Sequence, residues 1–199
     1  MTSIRIATIV EGHGEVQALP VLLRRLVTEI APHRWADLPA PRRVNRNSLV
    51  APRGIEDAVD RLISDVEGVT GVLVLLDADD DCPADLGPQL LSRACAARPD
   101  VPIAVVLANR EFEAWFLAAA KSLRGCTSLR ADLRPPDDPE RIRGCKEWLT
   151  NHRTDHQSYN PKKHQTSLAA LFELHLARQN SPSFDKFWRD VEYLITGKR

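Results

Sequence analysis

The sequence predicts an α/β fold in which a mostly parallel sheet is flanked by helices and followed by a helical C-terminal extension. Three apolar runs, at Ile4–Val10, 72–76 and 101–108, are each followed by apolar residues at helical spacing. Continuous runs of this kind are typical of strands that are buried on both faces. Strands and helices in alternation indicate right-handed crossovers, and therefore strands that lie parallel.

Between the strands, apolar residues three and four positions apart predict amphipathic helices. The segments with this pattern are 16–30, 55–66 and 85–97. A further helix is predicted after the third strand, with Asn109 as its N-cap. Its core face would carry Phe112, Trp115 and Phe116. Residues 31–54 are rich in Pro, Arg and Asn, which predicts a loop with one short strand.

The domain organisation follows from a change of pattern near residue 124. Residues 1–123 are predicted to form the α/β core. Residues 124–199 are predicted to form a linker and a helical extension that packs on the core. The linker is indicated by the Pro- and Asp-rich stretch at 135–139, because such stretches are typical of turns. Three helical patches follow, at 140–151, 165–178 and 183–195.

The composition excludes several functional classes. The formal net charge is zero, so no overall field directs the chain to nucleic acid. The 4 cysteines include no C-x-x-C pair and fit no zinc framework. No apolar stretch approaches the roughly 20 residues of a membrane span, and the first residues lack the pattern of a signal peptide. We therefore expect a cytoplasmic protein that does not associate with a membrane.

Carboxylates follow each of the three predicted strands. Glu11 follows the first strand, four aspartates within 77–81 follow the second, and Glu111 follows the third. Ligands of open parallel sheets bind outside the carboxyl ends of the strands, so these acids are expected at one edge. Two like charges about 4 Å apart repel by roughly 4 kcal/mol at a surface-like dielectric. Hard divalent cations bind carboxylate oxygens and relieve this repulsion, so the sequence predicts a metal site.

Two other interpretations of these motifs compete with a metal site. Acidic residues that only cap helix N-termini would explain one or two of the positions, but not three aspartates at alternate positions. The Gly12-x-Gly14 turn resembles a loose dinucleotide-binding turn. However, Glu11 and Glu15 flank that turn and would repel a pyrophosphate, and the third glycine of the motif is missing. We therefore do not expect a nicotinamide cofactor.

The two acidic motifs together resemble the Toprim domain. That domain is shared by topoisomerases, bacterial primases and the overcoming-lysogenization-defect (OLD) nucleases. The matching features are an apolar strand followed by E-G-x-x-E at 11–15 and a later strand that ends in D-x-D-x-D at 77–81. The resemblance spans roughly residues 4–120 and extends to small stand-alone bacterial proteins of this superfamily through 109–115 and 181–184. The chain has no strand-passage module and no primase parts, so the nuclease branch is what the resemblance implies.

The resemblance implies a role for each acid of the two motifs. Glu11 matches the Toprim glutamate, and Asp77 and Asp79 match its aspartate pair. These three would hold one metal ion and are predicted to be catalytic. Asp81 matches a third aspartate that some members have, and Glu15 matches the second acid of the OLD-type variant.

Two-metal hydrolysis of a phosphodiester is the implied chemistry, with Mg²⁺ or Mn²⁺ as the ions. A second ion would be held by Glu15 together with Glu111 or Glu113. Asp80 lies out of register with its neighbours and is expected to face solvent. The transition state also needs a cation from the protein, and Lys163 is predicted to supply it.

The cation assignment has an open alternative. Lys163 is flanked by Lys162 and His164, and such a run of charge is at least as typical of a solvated turn. His13 lies within the first motif and is predicted either to contact a phosphate or water or to take no part.

The predicted function is therefore a metal-dependent nuclease, with DNA favoured over RNA as the substrate. The resemblance also implies a partner ATPase encoded nearby, in a bacterial defence or repair setting. Two alternatives remain open. The first is a non-catalytic Toprim-like interaction protein that binds an ATPase. The second is a hydrolase of small phosphate esters or nucleotides with Asp77 as its nucleophile.

Overall fold

A computed structural model describes residues 4–198 of the chain. The strands are Ile4–Val10 (β1), Ala36–Asp37 (β2), Arg42–Arg43 (β3), Gly71–Asp77 (β4) and Ile103–Ala108 (β5). The helices are Glu15–Ile30 (α1), Arg46–Val50 (α2), Gly54–Asp65 (α3), Pro83–Ala97 (α4), Ala114–Ala118 (α5), Cys145–Asn151 (α6), Pro161–Leu171 (α7), Leu174–Asn180 (α8) and Pro182–Thr196 (α9). Short 3-10 turns cover Ala120–Leu123 and Pro139–Arg141. The predicted alternation of strand and helix is confirmed.

The five strands form a parallel sheet. β1 pairs with β4 on one side and with the short strands β2 and β3 on the other, and β4 also pairs with β5. Because every pair is parallel, the carboxyl ends of β1, β4 and β5 open at the same edge. The segments after Val10, Asp77 and Ala108 therefore lie side by side, which is the arrangement that the sequence predicts.

The sheet is covered on both faces. Side chains alternate between the faces along each strand, so Leu73 and Leu75 pack towards α1, α5 and the C-terminal helices. Val72 and Val74 pack on the other face, against α3 and α4. Since α9 contacts β5 and α7 contacts α1, the helices of residues 124–198 share a hydrophobic core with the sheet.

Aromatic residues after β5 form the centre of that core. Phe112, Trp115 and Phe116 are fully buried, which confirms their predicted core role. The Trp115 ring lies 4.9 Å from the ring of Phe187 on α9, and its indole Nε1 donates to the Ser183 hydroxyl at 2.9 Å. The C-terminal helix is thereby tied to the segment that carries Glu111 and Glu113.

Three of the predicted helices differ from those in the structure. Asn109 does not cap a helix: its side chain donates to Glu140, and α5 begins only at Ala114. The predicted helical patch at 165–178 is two helices, because the Glu173 carboxylate accepts from the backbone N–H groups of the next turn and starts α8. The patch at 140–151 is α-helical only as α6, which follows the 3-10 turn at Pro139–Arg141, since Gly144 precedes α6 in a left-handed conformation with φ 75°.

None of the helices within residues 4–198 combines the length and the apolar character that a membrane span requires.

Candidate functional site

The turn after β1 is organised by a buried glutamate. Glu15 is the first residue of α1 and is only 6% exposed. Its Oε2 accepts hydrogen bonds from the backbone N–H groups of Gly12 at 2.9 Å and Glu11 at 3.2 Å. Backbone N–H groups at the start of a helix favour a carboxylate in this position. Glu15 therefore fixes the turn and, through it, the position of Glu11.

The end of β4 is tied to the segment after β5 by Asp77. Asp77 Oδ1 accepts a hydrogen bond of 2.7 Å from the backbone N–H of Phe112. Two residues later, the backbone N–H of Asp79 donates to the Arg110 carbonyl at 3.0 Å. These bonds draw the two loops together, so the aspartates lie next to Glu111 and Glu113.

A lysine from the C-terminal half joins the acids. Lys146 on α6 places its Nζ 2.6 Å from Glu111 Oε2 and 3.1 Å from Glu113 Oε2. Glu113 is only 1% exposed, and its Oε1 also accepts from the Tyr159 hydroxyl at 3.1 Å. Glu111 Oε1 accepts from the backbone N–H of Cys145 at 3.1 Å. The ammonium of Lys146 thus neutralises part of the charge that the sequence assigns to a metal.

An arginine lies on the outer side of the aspartate motif. Arg46 donates from its Nε to the Asp77 carbonyl at 3.1 Å and lies 3.6 Å from Asp79 Oδ2. Its guanidinium also contacts the carboxylate of Asp81. Arg46 is mostly buried, whereas the side chain of Asp81 is more than half exposed. Asp81 is thus turned towards Arg46 at the surface.

Two clefts meet at these residues and share Asp77 and Lys146. The first, of about 430 Å³, lies between the turn after β1 and the start of α7; its charged residues are Glu11, Glu15, Asp77, Glu113, Lys146 and Lys162. The second, of about 290 Å³, lies between the loops after β4 and β5 and α6; its charged residues are Asp77, Asp79, Asp80, Glu111, Arg110, Arg143 and Lys146.

Most of the predicted site residues line one of the two clefts. These are Glu11, Glu15, Asp77, Asp79, Glu111 and Glu113. Asp81 and Lys163 line neither cleft, and Lys163 is exposed on α7. Lys146 was missed because nothing in its local sequence marks it. Only the excess of buried acids, which requires a nearby cation, could have indicated that such a lysine exists.

Burial and mutual repulsion disfavour the charged form of several of these acids. Burial raises the pKa of Asp77 well above its usual range, and the carboxylates of Glu15 and Glu113 raise it further. Burial also raises the pKa of Glu15 to about 7, and that of Glu113 in the same direction. Burial lowers the pKa of Lys146, but the carboxylates around it outweigh that effect and the pKa is raised. The site therefore favours additional positive charge.

One carboxylate oxygen of Glu11 lacks a hydrogen-bond partner, as does the Oε1 of Gln165 in the same cleft. The Glu11 Oε2 is buried and has no hydrogen-bond partner in the described part of the chain. Burial, and then the Asp79 carboxylate, raise the pKa of Glu11. A buried carboxylate oxygen without a partner is unfavourable. Within residues 4–198 no three or more His, Cys, Asp or Glu side chains form a preformed metal site, so a cation would have to draw the acids together.

The fold and these clefts define a class of protein: a parallel α/β protein with a cluster of carboxylates where its strands end. The chain belongs to the family described as a domain of unknown function, DUF4276, because the family model matches residues 10–192. The matched range includes every residue that lines the two clefts. No curated protein and no solved structure matches the chain.

The raised pKa of Glu15 predicts a pH-dependent stability. Since the pKa rises from 4.5 to about 7 on folding, the folded protein binds this proton more tightly than the unfolded protein. The free-energy cost of ionising Glu15 in the folded protein is absent below pH 4.5, grows as the pH rises to about 7, and is complete above that. We expect Glu15→Gln to remove a cost of about 3 kcal/mol at pH 8 and almost none at pH 4.5.

Urea unfolding of the metal-free protein at several pH values measures this effect. The matched control is Glu67→Gln, which changes an exposed acid at the opposite edge of the sheet. Equal shifts for the two variants at pH 8 would show that Glu15 carries no special burial cost.

Proposed function

We propose that this protein is a divalent-metal-dependent phosphodiester hydrolase that acts on nucleic acid. The observation that carries the proposal is the buried Oε2 of Glu11, which lacks a partner at the edge where Asp77 and Asp79 also lie. The proposal includes the Toprim resemblance and its OLD-type nuclease branch, with DNA favoured over RNA. An ATPase partner and a cytoplasmic location stay predictions from the sequence.

The donor set fits Mg²⁺ or Mn²⁺. Glu11, Asp77 and Asp79 offer hard carboxylate oxygens, which these ions prefer. When bound, the ion would supply Lewis-acid activation of the phosphodiester and of the attacking water. We propose Glu15 as a positioning residue, because its hydrogen bonds to the turn fix Glu11.

Lys146 is the protein cation that we propose for the reaction, in place of Lys163. Its Nζ lies at the boundary of the two clefts, beside Glu111 and Glu113. The surrounding carboxylates keep it protonated, so it can donate hydrogen bonds to a phosphate oxygen as negative charge develops. The predicted second ion would have to compete with Lys146 for Glu111 and Glu113. One bound ion together with Lys146 is the arrangement that these contacts favour.

A cleavage assay tests the proposal. We expect labelled DNA oligonucleotides to be cut with Mg²⁺ or Mn²⁺ and not with EDTA. Glu11→Gln should reduce cleavage by about 100-fold or more, whereas the exposed Glu67→Gln should cut normally. Cleavage that persists in EDTA would contradict the proposal, and so would equal cleavage by the Glu11→Gln and Glu67→Gln variants. Hydrolysis of mononucleotides but not of DNA or RNA would support the small-ester alternative instead.

A further inference from the structure

The smaller cleft contains two arginines that are bound to one carboxylate. Arg110 follows β5, and Arg143 directly precedes Gly144, the N-cap of α6. Arg110 Nη1 lies 3.1 Å from Asp80 Oδ1, and Arg143 Nη2 lies 2.8 Å from the same oxygen. The Asp80 side chain is 74% exposed, which confirms its predicted solvent-facing position. Two guanidinium groups thus converge on a single anionic oxygen.

Two other cations near the acids are already paired with predicted metal ligands. Lys146 contacts Glu111 and Glu113, and Arg46 is mostly buried against the aspartate motif. By contrast, the Arg143 side chain is 72% exposed, like that of Asp80. The Arg110 side chain is 28% exposed, but its partner Asp80 is exposed in both pairs, and ion pairs with an exposed carboxylate contribute little to stability. A stronger anion in the cleft can therefore replace Asp80 at small cost.

The backbone places the two arginines beside the proposed metal ligands. Arg110 and Asp79 both adopt left-handed conformations, with φ 61° and 52°. Residues other than glycine rarely do so, and such positions cluster where ligands bind. The Asp79 N–H donates to the Arg110 carbonyl at 3.0 Å, so this local geometry fixes Arg110 next to Asp79. An anion bound between the arginines would lie in the same cleft as Asp77 and Asp79.

We propose that Arg110 and Arg143 form a phosphate subsite for the backbone of a nucleic-acid strand. In the free protein Asp80 occupies the subsite as an internal anion, and a backbone phosphate displaces it when a strand binds. Guanidinium groups bind phosphate through parallel N–H···O bonds, which makes arginine well suited to this role. The role of the subsite rests on the proposed function, but its existence can be tested without cleavage.

Binding of a fluorescein-labelled single-stranded DNA of 12 thymidines, measured by anisotropy in EDTA, tests the subsite. A strand of this length covers about one binding site for single-stranded DNA. Asp80→Asn frees both arginines and should tighten binding by about fivefold. Arg143→Gln should weaken it by about the same factor. It should also lower the slope of log affinity against log salt by about 0.7, the effect of one lost phosphate contact on a single strand.

Asp132→Asn is the matched control. Asp132 is exposed, pairs with the exposed Arg130 at 2.8 Å and lines neither cleft. Because it changes the net charge by the same amount as Asp80→Asn, it reports the general effect of charge. We expect it to leave affinity nearly unchanged. Equal tightening by the two asparagine variants, or an unchanged affinity in Arg143→Gln, would overturn the subsite.

Competition by inorganic phosphate separates a backbone site from a site for the free ion. We expect inorganic phosphate to displace the DNA only at phosphate concentrations far above the concentration of the DNA. Competition by phosphate as effective as that by unlabelled DNA, counted per phosphate group, would overturn the backbone assignment. All of these binding measurements are made without metal. If the protein shows no Mn²⁺-dependent cleavage, the proposed function is contradicted, but the evidence for the phosphate subsite is unaffected.

Discussion

Asp77→Asn is expected to lower the affinity for Mn²⁺ by about 100-fold or more and, at the same time, to stabilise the metal-free fold. The two effects have one cause. Asp77 lies among Glu15 and Glu113, and burial raises its pKa well above the usual range. The charged carboxylate of Asp77 thus destabilises the metal-free fold, but it is a good ligand for a cation. Asparagine keeps an oxygen that can accept the Phe112 N–H and removes the charge.

Calorimetric titration with Mn²⁺ and urea unfolding in EDTA measure both effects. Because the pKa of Asp77 is raised on folding, the cost of its charge begins above the usual pKa of an aspartate and grows as the pH rises towards the folded pKa. We therefore expect the gain in unfolding free energy to be larger at pH 8 than at pH 5. Asp132→Asn, outside both clefts, should change neither quantity. A loss of stability together with unchanged Mn²⁺ affinity would mean that Asp77 serves the fold alone.

Lys146→Met is expected to destabilise the metal-free protein by about 2–3 kcal/mol at pH 8. The substitution leaves Glu113, which is 1% exposed, without its cationic partner. Removing one partner of a buried ion pair lowers the free energy of unfolding, because the other charge remains without a partner in a region of low dielectric. The partial exposure of the Lys146 side chain reduces this cost. At pH 5 the loss should be smaller, because Glu113 has a raised pKa and takes up a proton more readily.

A double variant shows whether the loss comes from the unpaired acid. We expect Glu113→Gln to restore most of the stability of Lys146→Met, since glutamine still accepts from the Tyr159 hydroxyl. Lys163→Met, on the exposed surface of α7, should change the unfolding free energy by less than about 0.5 kcal/mol. If Lys163→Met proves as destabilising as Lys146→Met, the assignment of the central cation is wrong.

The parts of the site that could be predicted from sequence are those that local chain order determines. Glu11 and Asp77 each lie at the end of a buried strand. Parallel pairing brings the ends of the strands to one edge of the sheet, independently of how the rest of the chain packs. Lys146 could not be found in this way, because α6 reaches the site only through the packing of the C-terminal helices. The prediction of Lys163 rests on local charge, and local charge carries no information about such packing.

The loop after β5 shows a second limit of the sequence. Asn109 is a good N-cap by residue type, yet its side chain bonds to Glu140 and the helix starts five residues later. The Asp77 carboxylate binds the backbone N–H of Phe112 instead, so the intervening residues form a turn. Propensity favoured a helix start at Asn109. The tertiary hydrogen bond between Asp77, at the end of β4, and Phe112 favours a turn instead, and the bond from the Asp79 N–H to the Arg110 carbonyl holds Arg110 beside Asp79.

The most direct test of the metal site is anomalous X-ray scattering from crystals soaked in Mn²⁺. We expect a strong peak within bonding distance of the carboxylates of Glu11, Asp77 and Asp79, with the Glu11 Oε2 as one of its ligands. The peak should be absent from crystals of Asp77→Asn grown and soaked in the same way. A fully soaked crystal with no peak at these carboxylates, or with its peak elsewhere on the surface, would contradict a metal centre at this edge of the sheet.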